Sequence, residues 1–584
     1  MAVAAELWLI AHHYPPHVPD LIASAHRWMS GDPDPATRQE LQSLVEAGDM
    51  ESLASRFDSE LTFGTAGIRG QVGAGPNRMN RAVVIRTTAG LAGYLAASGV
   101  PADSPVVVGF DARPTSRTFA EDTAGVLAAS GRRVVYFPEY APTPLVAFAL
   151  KDLGAAAAVV VTASHNPPAD NGYKVYSSNG AQIIPPVDSE ISAAIANGGA
   201  AVDVARTENV FSGASKLVSA ISNEVLDRYW SAVDACRPDA RSSKLKVVYT
   251  PMHGVGGDVL RSIFKRAGHT GLIEVPEQAR PDGTFPTVSF PNPEEPGALD
   301  LAIELGTEVD ADLIIANDPD ADRLAALIPH DAAWRPLSGN ELGVLLGDYV
   351  LRHWSGPEQA IVINSIVSSP MLARIAERYR AHHEVTLTGF KWIVNAGLAL
   401  ETQGEGTFAF GYEEALGYAV GSAVRDKDGI SAALVFCDLF AGLREQGLTV
   451  LDRLAELWSE VGVWASAQHS LVRSGADGQA AIQNAVRLLA KTPPDDVGGK
   501  EVTDMIDYRM GGDTRPVWLG EQPLVQLSLG TTGRILVRPS GTEPKLKIYV
   551  DLTEPTGSSP HAQQKELELA AVGIASSLAA ELEI

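Results

Sequence analysis

The pattern of apolar and polar positions divides this chain into stretches of different character. Residues 20–28, 35–47 and 50–57 read as helices punctuated by Asp and Pro, an N-terminal extension over 1–60. From Leu61 onward short apolar runs alternate with Ala- and Leu-rich helical stretches: strands at 104–110, 133–137 and 157–161, helices at 116–130 and 144–150. The alternation returns with a strand at 244–250, a helix at 255–267 and a further strand at 313–317. A third block comes next, with helices at 340–353, 371–379 and 430–443 and strands at 360–365 and 408–412. Near-continuous apolar strands separated by helices predict a mainly parallel sheet covered on both faces. Three such blocks predict three related α/β domains, although no clean residue-level repeat links them. After about residue 466 the character shifts to a hairpin (524–529 and 533–538), a strand at 545–550 and a long helix at 561–582, an α+β arrangement. Gly-Gly at 198–199 and 498–499 and the Arg-Pro-Asp stretch at 237–239 mark loops or boundaries.

Composition narrows this picture. A chain of 584 residues is too long for one core and predicts about four domains. Its net charge of −25 argues against nucleic acid or an anionic membrane as partner. An anionic small molecule stays open, because local arginines and lysines can override the global field. Two cysteines, Cys236 and Cys437, sit in helix-like contexts without Cys-x-x-Cys spacing and are expected to be reduced, buried and inert, as in the cytoplasm. No run approaches ~18 apolar residues, and the first residues lack a basic segment, so neither a membrane span nor a signal peptide is expected.

The chemistry concentrates in two motifs. Thr162-Ala-Ser-His-Asn-Pro167 offers Ser164 in a tight turn after an apolar run, with Asp170-Asn-Gly-Tyr-Lys174 read as a second turn returning Lys174 toward the serine. A lysine held near a phosphate acts as a charge clamp or, if its pKa falls, as a proton acceptor. His165 invites a serine-hydrolase reading, but adjacent side chains rarely align as nucleophile and base, and the Gly-x-Ser-x-Gly elbow is missing. Asp318-Pro-Asp-Ala-Asp-Arg323 places three carboxylates at alternate positions beside an arginine. An EF-hand fails, since Arg323 and Pro329 stand where Gly and Glu are needed. An aspartate-nucleophile phosphatase and a Mg²⁺ site facing a serine-borne phosphate both remain open, as does a solvated acidic loop.

Two further clusters lie downstream. Gly411-Tyr-Glu-Glu-Ala-Leu-Gly-Tyr418 sets Glu413 and Glu414 at a strand end, where carboxylates can accept hydrogen bonds from sugar hydroxyls or form a plain acidic turn. In Arg538-Pro-Ser-Gly-Thr-Glu543, the side chains of Arg538, Ser540 and Thr542 and the amides around Gly541 can cradle an anion, with Lys545 and Lys547 nearby; the alternative is a simple Pro-Ser-Gly turn.

With these four motifs in this order, the chain resembles the α-D-phosphohexomutase superfamily, which includes phosphoglucomutases and phosphomannomutases, from about Leu61 to the C-terminus. Leu61-Thr-Phe-Gly-Thr-Ala-Gly-Ile-Arg-Gly70 is similar to the family's opening signature, and Gly109-Phe-Asp-Ala-Arg113 to the turn after its next strand. The form of the motifs looks most like the branch of mammalian phosphoglucomutase-2 and its bacterial relatives. The resemblance implies three related α/β domains with mixed, mainly parallel sheets and a C-terminal α+β domain around a central cleft. Here these would be 61–215 with the phosphoserine loop, 216–335 with the metal loop, 336–463 with the sugar loop and 464–584 with the phosphate loop.

By motif, the resemblance implies that Ser164 is the phosphoserine and that Asp318, Asp320 and Asp322 bind Mg²⁺, with an oxygen on Ser164 completing the set. Arg323, Arg69, Lys174 and His165 would serve phosphoryl and proton transfer, and Lys391, in Thr388-Gly-Phe-Lys-Trp392, would enter the cleft. Glu413 and Glu414 would hold sugar hydroxyls, and Arg538, Ser540, Gly541 and Thr542 the non-reacting phosphate. The implied reaction interconverts hexose 1-phosphate and 6-phosphate, glucose foremost, through a sugar 1,6-bisphosphate that also serves as activator. Phosphomannomutase and phosphopentomutase are the alternatives, and a phosphatase or a non-catalytic sugar-phosphate sensor the rivals in class. Partners would be small sugar phosphates, without nucleic acid or membrane, for a monomer or homodimer in the cytoplasm. One departure stands out: Ala415 replaces the serine that many members carry in the sugar loop, which removes a hydrogen bond worth roughly 0.5–1.5 kcal/mol and relaxes hydroxyl recognition.

Overall fold

The computed structural model describes residues 18–65, 67–473, 475–540 and 545–582, which group into two compact units. One unit holds residues 18–235 with Lys244–Trp334 and Ala423–Ile430; the other holds Cys236–Ser243, Arg335–Ser422 and residues 431–582.

In the first unit the N-terminal helices form as predicted, at Val18–Gly31, Pro35–Ala47 and Met50–Phe57; residues 1–17 of the extension lie outside the described residues. Asp34 and Asp49 cap the second and third helices by accepting from the backbone N–H of Ala36 and Ser52, satisfying donors that a helix start otherwise leaves orphaned. Ala25, Leu41, Leu53 and Ala74 close a small core beneath them.

The rest of this unit is built on two α/β sheets. The first runs in spatial order Ile68–Gln71, Asp170–Ser177, Ala157–Val161, Val106–Phe110, Val134–Tyr136 and Val218–Ala220. Its last four strands are parallel, and Asp170–Ser177 pairs antiparallel with both of its neighbours. This strand corrects the sequence reading of Asp170 to Lys174 as a turn. Asp-Asn-Gly is a turn signal, but the glycine serves another end here: a Cβ on Gly172 would lie 2.5 Å from the Thr162 carbonyl and 2.9 Å from that of Ile68. The second sheet is built on Val247–Thr250 and Leu313–Ala316, parallel and wholly buried.

The second unit holds a sheet in the order His382–Thr386, Ala360–Ser365, Thr407–Glu413, Gly417–Val420, parallel except for the last pair. It also holds an antiparallel sheet, Val463–Val472, Lys545–Glu554, Gly533–Pro539, Val525–Ser528 and Asp504–Asp507, packed against the helix Pro560–Glu581. The predicted hairpin is present; the long strand Val463–Val472 is an addition, since its outer half alternates toward solvent and carries little apolar signal. Burial and the neighbouring Asp438 push the Cys437 thiol up, whereas Cys236, expected buried, is only partly so and abuts Gly421. Among the described residues no helix is long and apolar enough to cross a membrane.

Candidate active site

Ser164 and the aspartate loop both come after the carboxyl ends of buried parallel strands, Ala157–Val161 and Leu313–Ala316, where α/β folds gather their ligand-binding groups. Ser164 is 4% exposed and takes a left-handed conformation, φ 51°, that a non-glycine residue adopts only when its surroundings impose it. The imposing group is Arg113. Its guanidinium, buried and braced by Asp111, donates to the carbonyls of Ser164 (2.8 Å), Asn166 (2.6 Å), Pro167 (2.7 Å) and Asp170 (2.8 Å). The Thr162 hydroxyl accepts from the Ser164 N–H at 2.8 Å. So held, Ser164 Oγ donates to Asp318 Oδ2 at 2.8 Å and lies 3.2 Å from His165 Nδ1. Burial, then Arg323, Arg69 and Lys174, depress the His165 pKa well below its ordinary value and keep the imidazole neutral. Arg69 Nη1 donates to Asn166 Oδ1 at 3.0 Å and thereby flanks the same loop.

Asp318, Asp320 and Asp322 are each at most 1% exposed, and one carboxylate oxygen from each lies within 4.8 Å of the others. Buried charges persist only when compensated. Lys174 Nζ reaches Asp320 Oδ2 at 2.6 Å and Asp322 Oδ2 at 2.9 Å, and Lys427 Nζ reaches the same Asp322 oxygen at 3.2 Å. Arg323 Nε stands 3.9 Å from both Asp318 Oδ2 and Asp322 Oδ1. Burial opposes ionisation of Asp322, but Lys174, Lys427 and Arg323 outweigh it and hold the carboxyl well below its usual range. Burial and the two other carboxylates push Asp318 up. Burial likewise disfavours charge on Lys174, yet Asp320 and Asp322 raise its pKa, so of its two sequence readings the charge clamp is the one this setting favours.

Asp320 Oδ1 and Asp322 Oδ1 are buried and accept no hydrogen bond from any described residue. Two hard oxygens that accept no hydrogen bond, beside a third carboxylate, fit a small divalent cation such as Mg²⁺. The loop itself is braced by Asn317, which accepts from Tyr249 OH at 3.0 Å and donates to the Arg323 carbonyl at 2.6 Å. Sequence reasoning missed both Arg113 and Lys427. The first was visible only as part of a turn signature. The second lies in Arg425-Asp-Lys-Asp428, which by composition reads as a solvated charge run.

The second unit gathers the remaining candidates. Glu413 ends the strand Thr407–Glu413, and its Oε1 accepts from the Gly389 N–H at 2.6 Å; Gly389, at φ 111°, precedes the helix Phe390–Gln403 that carries Lys391 in its first turn. Arg538 Nη1 donates to Thr388 Oγ1, which Gln522 Nε2 also reaches, at 2.8 Å. Arg538 Nε is buried and finds no acceptor among the described residues. Glu413, Lys391 and Arg538 therefore share one neighbourhood. Glu414 Oε2 accepts from the hydroxyls of Ser365 and Ser368, each at 3.1 Å. The Ser540 N–H donates to the Lys545 carbonyl at 2.7 Å; Gly541 and Thr542 lie outside the described residues.

Fold and site together define an enzyme of the phosphosugar mutase class. The chain belongs to the phosphoglucomutase/phosphomannomutase family: models of its alpha/beta/alpha domains I, II and III match residues 60–201, 227–331 and 338–461, and that of its C-terminal domain matches residues 521–556. It is 41% identical over 480 residues to a Haemophilus influenzae protein named "Probable phosphomannomutase", covering 81% of this chain and 93% of that protein. It is 38% identical over 572 residues to the phosphoribomutase of Saccharomyces cerevisiae, covering 90% of this chain and 91% of the other. Parafusin, a phosphoglucomutase from Paramecium, shares the fold at 17% identity, with a TM-score of 0.68 over 89% of this chain and 96% of that one.

Proposed function

We propose that this mutase works through a phosphoserine at Ser164. The observation that carries the reading is the strained serine whose Oγ bonds to one of three buried carboxylates ringed by Lys174, Lys427 and Arg323. In the first half-reaction a sugar hydroxyl attacks the phosphorus on Ser164; a P–O bond to the sugar forms, the P–Oγ bond breaks and the hydroxyl's proton ends on Oγ, giving a sugar bisphosphate and free serine. The bisphosphate reorients and its other phosphate returns to Ser164. Asp318, Asp320 and Asp322 would hold Mg²⁺, which supplies charge neutralisation when bound. Arg323 and Lys174 present fixed positive charge to the transferring group, so catalysis is mainly positioning and electrostatics. Arg69 orients the serine loop through Asn166.

Glu413 and Lys391 would meet the sugar and Arg538 the phosphate that is not reacting. Arg538→Ala is expected to lower kcat/KM about 10- to 100-fold in both directions, the effect of losing a charge-assisted contact, while leaving Ser164 phosphorylation intact. Unchanged kcat/KM in both directions would remove Arg538 from the substrate site.

The foremost substrate is glucose 1-phosphate, converted to glucose 6-phosphate with catalytic glucose 1,6-bisphosphate. A second reading, pentose phosphates, is favoured by a specific observation. Ala415 lacks the serine hydroxyl, and Glu414 Oε2 already accepts from Ser365 and Ser368, so this loop offers fewer hydrogen bonds to sugar hydroxyls. The name of the yeast relative agrees with that reading. Glucose, mannose, ribose and deoxyribose 1-phosphates should be assayed side by side. Ribose 1-phosphate is expected within about tenfold of glucose 1-phosphate in kcat/KM, the scale of one hydrogen bond. A glucose preference far beyond that would end the pentose reading.

A further inference from the structure

We infer that Tyr176 and Tyr229 are positioning residues for the mutase reaction, acting through Lys427. The inference rests on the phosphoserine reading above. The chain leaves the second unit after Ser422 and returns to it at Ser431; the intervening strap, Ala423–Ile430, belongs to the first unit. It carries consecutive charges, yet Asp426 and Asp428 are each 1% exposed and the Lys427 side chain 12%. Charged side chains are tolerated in an interior only when each is specifically partnered.

The partners are two phenols from different elements. Tyr176, on the strand Asp170–Ser177, donates to Asp426 Oδ2 at 2.6 Å, and Tyr229, on the helix Glu224–Ala235, donates to Asp428 Oδ2 at 2.7 Å. Gln182 Nε2 adds a second donor to Asp426 Oδ2 at 2.9 Å, and the Lys427 N–H donates to Asp426 Oδ1 at 2.8 Å. Both phenols are fully buried, and burial with the adjacent carboxylates raises their pKa, so they remain donors. Two anchors thus flank Lys427 on either side in sequence and fix its register.

The strap also lies on the backbone of the aspartate loop. The Gly429 N–H donates to the Ala321 carbonyl at 3.2 Å, and a Cβ on Gly429 would stand 2.2 Å from the Arg323 carbonyl. Tyr176 comes two residues after Lys174 on one strand, so both side chains leave from the same face. One delivers its amine to Asp322 directly, and the other holds the strap that delivers Lys427 to the same carboxylate oxygen. Neither phenol is a hydrogen-bond partner of Ser164 or of the three aspartates. Their part is to set where the second lysine stands.

The test is a set of double-mutant cycles on the full-length enzyme. Tyr176→Phe and Tyr229→Phe should each lower kcat about tenfold at saturating sugar phosphate with little change in KM, since a small misplacement of a catalytic charge costs rate. In a Lys427→Met background neither change should lower kcat further, because each acts through the lysine already removed. Equal losses in both backgrounds, no loss in either, or a fully active Lys427→Met enzyme would overturn the inference. Should a Phe variant fold poorly, Gln182→Ala enters the same cycle, removing one donor to Asp426 and leaving the phenol. Ser164→Ala run alongside separates the two levels: an active Ser164→Ala enzyme refutes the phosphoserine reading itself, whereas an inactive one with additive Phe effects refutes only the strap.

Discussion

Ser164→Ala is expected to lower turnover by on the order of 10⁴-fold or more, the scale of losing a covalent nucleophile, because alanine cannot carry the phosphoryl group between the two half-reactions. Stability should change little. The left-handed backbone at Ser164 already accommodates a Cβ, and the loop is held by Arg113 and Thr162, contacts the mutation leaves in place. The bond from Oγ to Asp318 and the longer contact with His165 Nδ1 disappear, together worth about 1–2 kcal/mol net. The distinguishing measurement is intact mass. A fraction of the wild-type protein should carry one phosphate, and the mutant none. Phosphate mapped to Asp318 instead would transfer the reaction to the aspartate-nucleophile phosphatase class, as would net release of inorganic phosphate from the sugar.

Much of this candidate site is legible in the sequence because its candidate groups follow apolar strands. The runs ending at Val161 and Ala316 announce buried parallel strands, and in an α/β fold the residues just past the ends of such strands are aimed at one edge of the sheet. The supporting groups were not legible, for a physical reason. Arg113 acts through four carbonyls of a loop far along the chain, and no spacing records a contact made by tertiary folding. Lys427 carries no signal in the sequence because the phenols that allow its neighbours to be buried belong to other elements. Asp170 to Lys174 reads as a turn because Asn-Gly signals chain reversal, but here Gly172 admits close contact with the carbonyls of Thr162 and Ile68. At Glu413-Glu414 the sequence offers two carboxylates for the sugar; the contacts of Glu414 Oε2 with the hydroxyls of Ser365 and Ser368 come from tertiary folding, and no spacing records them.

Asp320→Asn is expected to cost at least about 100-fold in activity and to weaken Mg²⁺ dependence, for a reason particular to this carboxylate. Asp320 Oδ2 already receives two donors, Lys174 Nζ at 2.6 Å and Thr143 Oγ1 at 2.6 Å, while Oδ1 is buried and receives none. An asparagine must keep its carbonyl oxygen toward those two donors, since its NH₂ there would face a lysine and a hydroxyl that is already donating. The NH₂ is then forced to the Oδ1 position, where it presents hydrogens instead of lone pairs to a cation. The substitution therefore does more than remove one charge: it puts a donor in the place of a metal ligand and leaves Lys174 with Asp322 as its remaining carboxylate. Chelation should abolish wild-type turnover and added Mg²⁺ restore it. In Asp320→Asn, higher Mg²⁺ should recover little, and direct titration should show weaker binding of the ion at unchanged fold. An Asp320→Asn enzyme with full, chelator-resistant activity would show that the three aspartates serve the lysines and not a metal.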